Sequence, residues 1–520
     1  MCTKQQPVLN KRQAGVILHP TSLPGPNPQG ELGPEAYHFV DFLKDCGLSV
    51  WQVLPINPTH EDRSPYMSSS VFAGNTDLIS LSVVAEWGWL PEDVGQQRVS
   101  DAGKRQALVM AKQQFLRQGR ADDIAALQDF ISANQYWLSD YALFQAVKTQ
   151  QGSKSWVDWP VALRDRQADA INTATSQLQD EIEQIYFEQF VFFKQWLGLK
   201  QYANDQNVQM VGDMPIFVAH DSAEVWTHRR YFDLNADGSP RMIAGVPPDY
   251  FSATGQRWGN PLYLWDRLAD DGYRWWIERC RVGFTLYDFI RIDHFRGFES
   301  FWEIDAKELT AENGHWVKGP GAALFNALYK ALVISGLTVG GVRQVSGEAP
   351  ALQPELQSSG SLAFIAEDLG IITEEVDALR LEFGWPGMKI LQFAFDGDPD
   401  NAYLPHNVEP NSVIYTGTHD NDTTLSWYEQ LPEQHKTQVI AYLATNGAGA
   451  MPWALIRSAF ASVSTWAIVP MQDILSLGKG HRMNTPGVTE DNWRWRFQWD
   501  QLNADVPSKI KALIKLYGRH

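Results

Sequence analysis

Cysteine is scarce in this sequence, and long apolar segments are absent. The three cysteines, Cys2, Cys46 and Cys280, have neither the spacing of a metal site nor the even number of a disulfide framework. A reducing compartment is the simplest explanation. No apolar run approaches the roughly 18 residues that span a bilayer, and the N-terminal stretch MCTKQQPVLNKR contains no apolar signal core. These absences predict a soluble, cytoplasmic protein with no membrane partner.

Basic residues are also few relative to acidic ones, while aromatic residues are abundant. Lys and Arg total 43 against 61 Asp and Glu, which gives a formal net charge of −18. Because phosphate binding needs basic clusters, this balance argues against a nucleic-acid partner and favours a neutral or cationic ligand. The chain contains 21 Trp, 17 Tyr and 25 Phe. Most of these belong in a core, but an excess of Trp also suits sugar binding, because a pyranose stacks on an aromatic face.

Motifs for nucleotides, serine hydrolysis and metals are missing or incomplete. Neither a phosphate-binding P-loop nor a GxSxG elbow occurs, and no HExxH pair or cysteine cluster supports a metal site. The segment DLNADG at 233–238 has the spacing of the start of an EF-hand, but its twelfth position is Ala244 rather than a bidentate glutamate. We expect a turn there without calcium, and no metal or cofactor elsewhere.

Short β-rich runs alternate with helical segments along the chain. Runs that are nearly apolar throughout are typical of parallel strands buried on both faces. Eight of them occur, at 14–19, 50–56, 208–213, 286–293, 362–367, 388–395, 412–419 and 465–471. Eight strands alternating with helices predict an α/β fold, a (β/α)8 TIM barrel that forms one catalytic unit over residues 1–520.

Several intervals are too long for simple connections within such a barrel. Residues 57–207 are predicted to form a mainly helical insertion subdomain, and 225–285 and 299–360 smaller excursions around the active-site mouth. A ninth strand candidate, ESFWEID at 299–305, is assigned to an excursion rather than to the barrel. The segment after the eighth strand reads as helical, so no C-terminal β-sandwich domain is expected.

Carboxylates follow several of the predicted strands. Asp213, Asp293, Glu367 and Asp420 each stand at a strand end, and the carboxyl ends of barrel strands meet at one mouth. Crowded acids repel one another, which can keep one carboxyl protonated while another stays ionised. Glycoside cleavage needs this division, with one carboxylate at the sugar carbon and one acid at the leaving oxygen. Alternatively, each acid pairs with a nearby arginine or caps the next helix.

A series of motifs resembles one known family. The motifs are HPTSLPGPNPQGELG, QVLPINPT, SPYMSSS, GDMPIFVAHDSAEVW, AGVPPDYFSATGQRWGNPLYLW, RIDHFRGF, IAEDLG, GMKILQFAF and TGTHDNDT. In this order they resemble the 4-α-glucanotransferases, also called amylomaltases or disproportionating enzymes, of glycoside hydrolase family 77 in the α-amylase clan. The likeness extends from about residue 15 to 495. It implies transfer of α-1,4-glucan segments without a cofactor.

The resemblance implies roles for the strand-end acids. Asp293 matches the nucleophile that forms a covalent glucosyl-enzyme, and Glu367 matches the general acid/base. Asp420 matches the stabiliser of the transition state, close to the 2- and 3-hydroxyls of the sugar. Arg291 matches the guanidinium that keeps the nucleophile ionised. These four residues are the predicted chemical centre.

Further residues match substrate contacts of the family. Tyr66, Asp213 and His419 match contacts of the sugar whose bond is cleaved, and the remaining candidates are Trp258, Tyr250, Phe251 and His294. Trp258, Tyr250 and Phe251 belong to the loop at 245–258, which suits a semi-rigid lid. Each has a structural alternative: Tyr66 packing in a turn after Pro65, Trp258 in the core, and His294 and His419 as satisfied buried histidines.

The sequence distinguishes transfer from hydrolysis mainly through the resemblance. Transfer requires a bound sugar hydroxyl and the exclusion of water, which the loops at 245–258 and 478–487 could provide, the second as a movable flap with glycines at both ends. The expected partners are α-1,4-glucans, namely maltooligosaccharides, amylose and glycogen branches, with glucose as an acceptor. We expect a monomer or weak homodimer. The alternatives are an α-glucan hydrolase or branching enzyme of the same clan, or a non-catalytic glucan-binding protein.

Overall fold

The computed structural model describes residues 7–248, 252–334, 362–488 and 490–520. These residues contain two β-sheets, and their strands follow in chain order. The strands are β1 Gln13–Ile17, β2 Val50–Gln52, β3 Gln209–Pro215, β4 Met242–Val246, β5 Gln256–Pro261, β6 Phe289–Asp293, β7 Ser300–Asp305, β8 His315–Lys318, β9 Phe364–Ala366, β10 Gly387–Ile390, β11 Ser412–Tyr415 and β12 Trp466–Pro470.

The larger sheet is a barrel of eight parallel strands. Its order is β10-β11-β12-β1-β2-β3-β6-β9, and every paired neighbour runs parallel. The first and last strands of this order, β10 and β9, also contact each other. The backbone N–H of Ala366 in β9 donates to the carbonyl of Pro386 beside β10 at 2.9 Å. All eight predicted strands take part. The predicted (β/α)8 TIM barrel is therefore confirmed.

The barrel strands are short and buried, as their apolar composition predicts. Every residue of β11 and β12 is buried, and β1 buries four of its five residues. Close approach also selects a glycine in β1: a Cβ on Gly15 would come within 2.5 Å of the backbone oxygen of Val50 in β2. Strands shielded on both faces are mainly apolar, and a polar residue inside one of them, such as Arg291 in β6, needs partners within the barrel.

Helices surround the barrel. In the described residues the α-helices are α1 Pro34–Cys46, α2 Leu81–Glu86, α3 Glu92–Gly95, α4 Asp101–Gln118, α5 Ala121–Ala133, α6 Gln135–Gln150, α7 Val161–Arg164, α8 Ala168–Gln177, α9 Gln179–Asp205, α10 Ala223–Thr227, α11 Trp265–Asp270, α12 Arg274–Leu286, α13 Ala322–Tyr329, α14 Glu374–Glu382, α15 Thr424–Gln430, α16 Glu433–Leu443, α17 Trp453–Ala461, α18 Met471–Ile474 and α19 Val506–Tyr517. Eight of these, α2 to α9, lie between β2 and β3. None of the described helices is long and apolar enough to cross a membrane.

The local sequence explains where these helices begin and end. Helix α1 starts at Pro34, whose missing N–H costs nothing in the first turn. It ends before Gly47, which takes a φ of 75° and closes the last turn through its N–H. Between these ends Phe39, Val40 and Leu43 are buried at helical spacing.

The smaller sheet is antiparallel, with the order β5-β4-β7-β8. The ninth strand candidate at 299–305 is β7, so it lies outside the barrel as predicted. The DLNADG segment forms a tight turn, in which the Asp237 carboxylate accepts hydrogen bonds from the backbone N–H and hydroxyl of Ser239. After β12 the described residues contain α18, α19 and a short 3-10 helix but no strand.

Candidate active site

The predicted site residues gather at the carboxyl ends of the barrel strands. Asp213 lies in β3, Arg291 and Asp293 lie in β6, and Glu367 directly follows β9. Asp420 stands in the loop between β11 and α15. Strand ends bring these residues to one mouth although they are far apart in sequence. The convergence expected from the sequence is therefore present in the fold.

Arg291 joins two of the acids. Its Nη1 lies 2.7 Å from both carboxylate oxygens of Asp213 and 3.0 Å from Oδ1 of Asp293. The Arg291 side chain is buried, whereas that of Asp293 is 29% exposed. A buried guanidinium between two carboxylates offsets their mutual repulsion. Asp293 can therefore stay ionised while facing the open mouth.

Asp293 and Glu367 differ in how their charge is supported. Burial raises the pKa of Asp293 above its ordinary value, and the Arg291 guanidinium offsets part of that rise. Burial also raises the pKa of Glu367, which Arg291 lowers and the charge on Asp293 raises further. Because Arg291 contacts Asp293 directly, Asp293 is the carboxyl that ionises first, and Glu367 is the one that keeps a proton. One carboxyl is thus suited to attack and the other to donate a proton.

Backbone groups hold Glu367 in place. One carboxylate oxygen accepts from the backbone N–H of His294 at 2.6 Å, and the other accepts from that of Leu369 at 3.1 Å. His294 presents its N–H from a left-handed conformation with a φ of 53°. Such a φ is uncommon for a non-glycine residue and is typical of functional sites. The strained corner after β6 therefore orients the acid that follows β9.

Asp420 is held as an anion by neighbours from two loops. Burial would raise its pKa, but His419 and Asn484 outweigh burial and hold the pKa well below its usual range. The Asn484 amide donates to Oδ1 at 2.6 Å, and His419 Nε2 lies 3.3 Å from Oδ2. Arg482 donates to the backbone carbonyl of Asp420 at 2.7 Å. A carboxylate this well supported stays negative beside a developing positive charge.

Tyr66 lies in the segment between β2 and α2 and contacts two residues of the site. Its hydroxyl donates to Asp213 Oδ2 at 2.7 Å and lies 2.9 Å from His419 Nε2. The Tyr66 and His419 rings stack at 5.2 Å between centroids, and the Trp493 ring lies 5.8 Å from that of Tyr66. Tyr66 therefore does more than pack in a turn, because its hydroxyl lies within hydrogen-bonding distance of two site residues.

The rings of Trp258 and His294 form a second aromatic contact in the site, besides that of Tyr66 and His419. Their rings meet at right angles with 4.9 Å between centroids, and Trp258 is half-buried rather than in the core. Burial lowers the pKa of His294 to about 3, so the imidazole is neutral. Its Nε2 is buried, and no partner for it occurs among the described residues. His294 is therefore not the satisfied buried histidine of the alternative interpretation. Tyr250 and Phe251 lie outside the described residues.

The family follows from a comparison of sequences. The 4-alpha-glucanotransferase family model matches residues 18–502. The chain belongs to the 4-alpha-glucanotransferase family. This finding confirms the resemblance drawn from the motifs and the predicted transferase activity, and the alternative of a hydrolase or non-catalytic protein is not favoured.

Curated members of the 4-alpha-glucanotransferase family match this chain over nearly its whole length. The chain is similar to the 4-alpha-glucanotransferase of Thermus thermophilus, with 45% identity covering 98% of this chain and 99% of that protein. The protein of Synechocystis sp. is 43% identical with the same coverages. The chloroplastic/amyloplastic protein of Arabidopsis thaliana is 40% identical, covering 98% of this chain and 86% of that protein.

Solved structures of two amylomaltases resemble this glucanotransferase chain. The amylomaltase of Streptococcus agalactiae, solved in complex with acarbose, superposes with a TM-score of 0.88 at 37% identity, covering 98% of this chain and all of that one. The amylomaltase of Corynebacterium glutamicum gives a TM-score of 0.71 at 16% identity, covering 98% of this chain and 76% of that one. The second likeness concerns the fold alone.

Several residues around this glucanotransferase site were not anticipated from the sequence. Asn484 and Arg482 belong to the predicted flap at 478–487, but nothing in the loop's composition marks them as partners of Asp420. His19 opens one of the family motifs, and it lines a cavity together with His419, Met483 and others. The family motif that begins at His19 is the sequence signal that could have identified this residue as part of the site. Within the described ranges no group of three or more His, Cys, Asp or Glu side chains could hold a metal ion.

Proposed function

We propose that the chain transfers α-1,4-glucan segments from a maltooligosaccharide or amylose donor to the 4-hydroxyl of an acceptor glucan or glucose, by a retaining double displacement. One observation carries the assignment of roles: Arg291 Nη1 lies 3.0 Å from Asp293 and stabilises it as an anion. The two backbone N–H groups orient Glu367, and burial together with the charge on Asp293 raises the pKa of Glu367 so that it keeps its proton.

In the first half-reaction the Asp293 carboxylate attacks the anomeric carbon of the donor. The bond from that carbon to the glycosidic oxygen breaks, and Glu367 gives its proton to the departing oxygen. A glucosyl ester of Asp293 and a shortened glucan result. Asp420 stays negative beside the positive charge that develops on the sugar ring, which lowers the barrier.

In the second half-reaction a 4-hydroxyl of the acceptor replaces water as the attacking group. Glu367, now a carboxylate, takes the hydroxyl proton while the acceptor oxygen bonds to the anomeric carbon and the ester to Asp293 breaks. Two inversions at one carbon restore the α configuration. The loop that carries Asn484 and Arg482 is tied to Asp420, and this contact supports a role in excluding water while a sugar is bound.

Maltotriose tests this function. Transfer redistributes chain lengths at a constant number of reducing ends, whereas each hydrolytic event adds one. We expect longer maltooligosaccharides and glucose at a nearly constant reducing-end titre. Asp293→Ala should abolish turnover, while Asp396→Asn, at an exposed aspartate, should not. Reducing ends that rise in step with maltotriose loss would contradict transfer, and an active Asp293→Ala variant would remove Asp293 as the nucleophile.

The remaining expectations extend beyond this chemistry. The cytoplasmic location, the monomeric or weakly dimeric state and glucose as an acceptor stay predictions. So do the division into an insertion at 57–207 with excursions at 225–285 and 299–360, and the substrate contacts of Trp258, Tyr250, Phe251 and His294. Two buried free cysteines, Cys46 and Cys280, are compatible with a reducing compartment.

A further inference from the structure

Trp316 in β8 presents an exposed aromatic ring near the barrel mouth. The residue is 39% exposed, although large apolar side chains usually avoid water. It lies opposite Trp302 of β7 in the antiparallel pair, with 5.1 Å between the ring centroids and an interplanar angle of 68°. The Trp302 indole N–H donates to the carbonyl of Ala311 at 2.9 Å. The exposed ring is thus braced by a neighbour that is itself fixed.

A buried arginine covers one face of this ring. The guanidinium carbon of Arg296 lies 3.8 Å from the ring centroid of Trp316, and Arg296 is only 5% exposed. Its Nη1 donates to the carbonyl of Ile371, and its Nη2 donates to the hydroxyl of Ser300 at 3.2 Å. Because the arginine occupies the inner face, the exposed area of the indole belongs to its outer side.

The position of this ring relates it to the reacting groups. Arg296 follows Asp293 by three residues, and Ile371, which is 52% exposed, follows Glu367 by four. Four residues of extended chain span at most about 14 Å. The ring therefore stands where the two strands that carry the proposed nucleophile and acid leave the barrel.

We propose that the outer face of Trp316, together with Ile371, is a stacking platform for glucose units of a long α-1,4-glucan bound in the mouth. The platform rests on the proposed function, because it serves the part of the substrate beyond the reacting bond. A donor of three glucose units leaves at most two units on either side of the reacting bond, so it has fewer units than a long chain with which to cover the platform. The contribution of the platform is to hold long chains at the mouth.

The surroundings of the ring favour a sugar over a protein as the occupant. A pyranose offers an apolar face to an aromatic ring and hydroxyls to a polar rim. A polar side chain stands beside Trp316 on the same face of the strand, since Lys318 lies two residues further along β8 and its side chain is 75% exposed. Two apolar side chains are much less than the contiguous patch that a stable protein interface requires.

Trp316→Ala tests the platform. We expect the KM for amylose to rise roughly three- to tenfold, as the loss of one stacking contact implies, with the KM for maltotriose and both kcat values unchanged. Trp316→Phe should restore much of the amylose affinity because it keeps an aromatic face. Leu309→Ala, at a side chain 93% exposed on the same hairpin, is the matched control. Retardation of the native proteins in gels containing amylose gives a second readout of binding.

Different outcomes separate the two proposals. An amylose KM that stays at the wild-type value in Trp316→Ala overturns the platform, as does an equal loss on amylose and maltotriose. A change in molar mass in solution without a change in amylose affinity would assign the face to a second copy of the chain, which also overturns it. If Trp316→Ala does not fold, Ile371→Ser decides by the same comparison. A wild-type protein that only hydrolyses maltotriose would contradict the proposed function instead.

Discussion

Replacing Arg291 with methionine should alter the pH dependence of turnover. Arg291 Nη1 lies 3.0 Å from Asp293, and at an effective dielectric constant of 20 this separation gives an attraction of about 5.5 kcal/mol. Carboxyls beside an arginine show smaller changes in pKa, about 1–3, because water and other charges respond. Burial already raises the pKa of Asp293. Without Arg291 the pKa of Asp293 should rise by about 1–3 more.

The direction of the effect follows from which form of Asp293 reacts. The nucleophile must be ionised, so kcat/KM falls as the pH drops through the pKa of Asp293 in the free enzyme. A higher pKa moves this acid limb to higher pH. At a pH below the limb, kcat/KM should fall about tenfold for every pH unit that the limb moves. The assay is glucose release from maltotriose, measured across the pH range for the wild type and the variant.

Two controls separate this effect from damage to the fold. Arg291→Lys keeps a positive charge, and since the carboxylate contacts of Arg291 all come from Nη1, one ammonium should retain part of the effect. Removing one partner of a buried ion pair costs about 3–5 kcal/mol of stability. Combining Arg291→Met with Asp213→Asn removes one of the stranded charges and should recover part of that stability. An acid limb that stays at the wild-type pH in folded Arg291→Met would refute the reasoning.

Two further substitutions test other carboxyls. Glu367→Gln should lower kcat on glucans by about 10²–10⁴, but much less on α-maltosyl fluoride, whose leaving group needs no proton; equal losses on both donors would contradict the role of acid. Burial raises the pKa of Glu224 to about 7 from 4.5, so between these two pH values the folded state binds more protons than the unfolded state. The free energy of unfolding therefore falls by about 3 kcal/mol as the pH rises through this window. Because Asp293 and Glu367 also have raised pKa values, the contribution of Glu224 is the difference between two proteins: urea unfolding should show a fall about 3 kcal/mol larger in the wild type than in Glu224→Gln, and equal falls in both would exclude Glu224 as a source.

The strand ends show why part of the site could be predicted. Asp213, Asp293 and Glu367 follow or end apolar runs, and parallel strands in a barrel must all present their carboxyl ends at one mouth. The alternation of strands and helices therefore predicted both the fold and the meeting of these acids. Asp420 was found in the same way, five residues beyond the end of β11.

Contacts between distant loops could not be predicted in this way. Asn484 and Asp420 are 64 positions apart, and Tyr66 and His419 are 353 positions apart. No periodicity relates such residues, because loop conformations depend on what each loop packs against rather than on a repeating backbone geometry. The left-handed backbone of His294 is likewise invisible in a sequence without a glycine at that position.

The sequence by itself determined the barrel, the set of acids and the family, because strand periodicity and local motifs are written in neighbouring residues. The tertiary structure alone decided how charge is distributed among those acids. Arg291 reaches both Asp213 and Asp293 across two strands, two backbone N–H groups orient Glu367, and His419 with Asn484 keeps Asp420 negative. Charge states depend on distances and burial, and these exist only once the strands have been brought together.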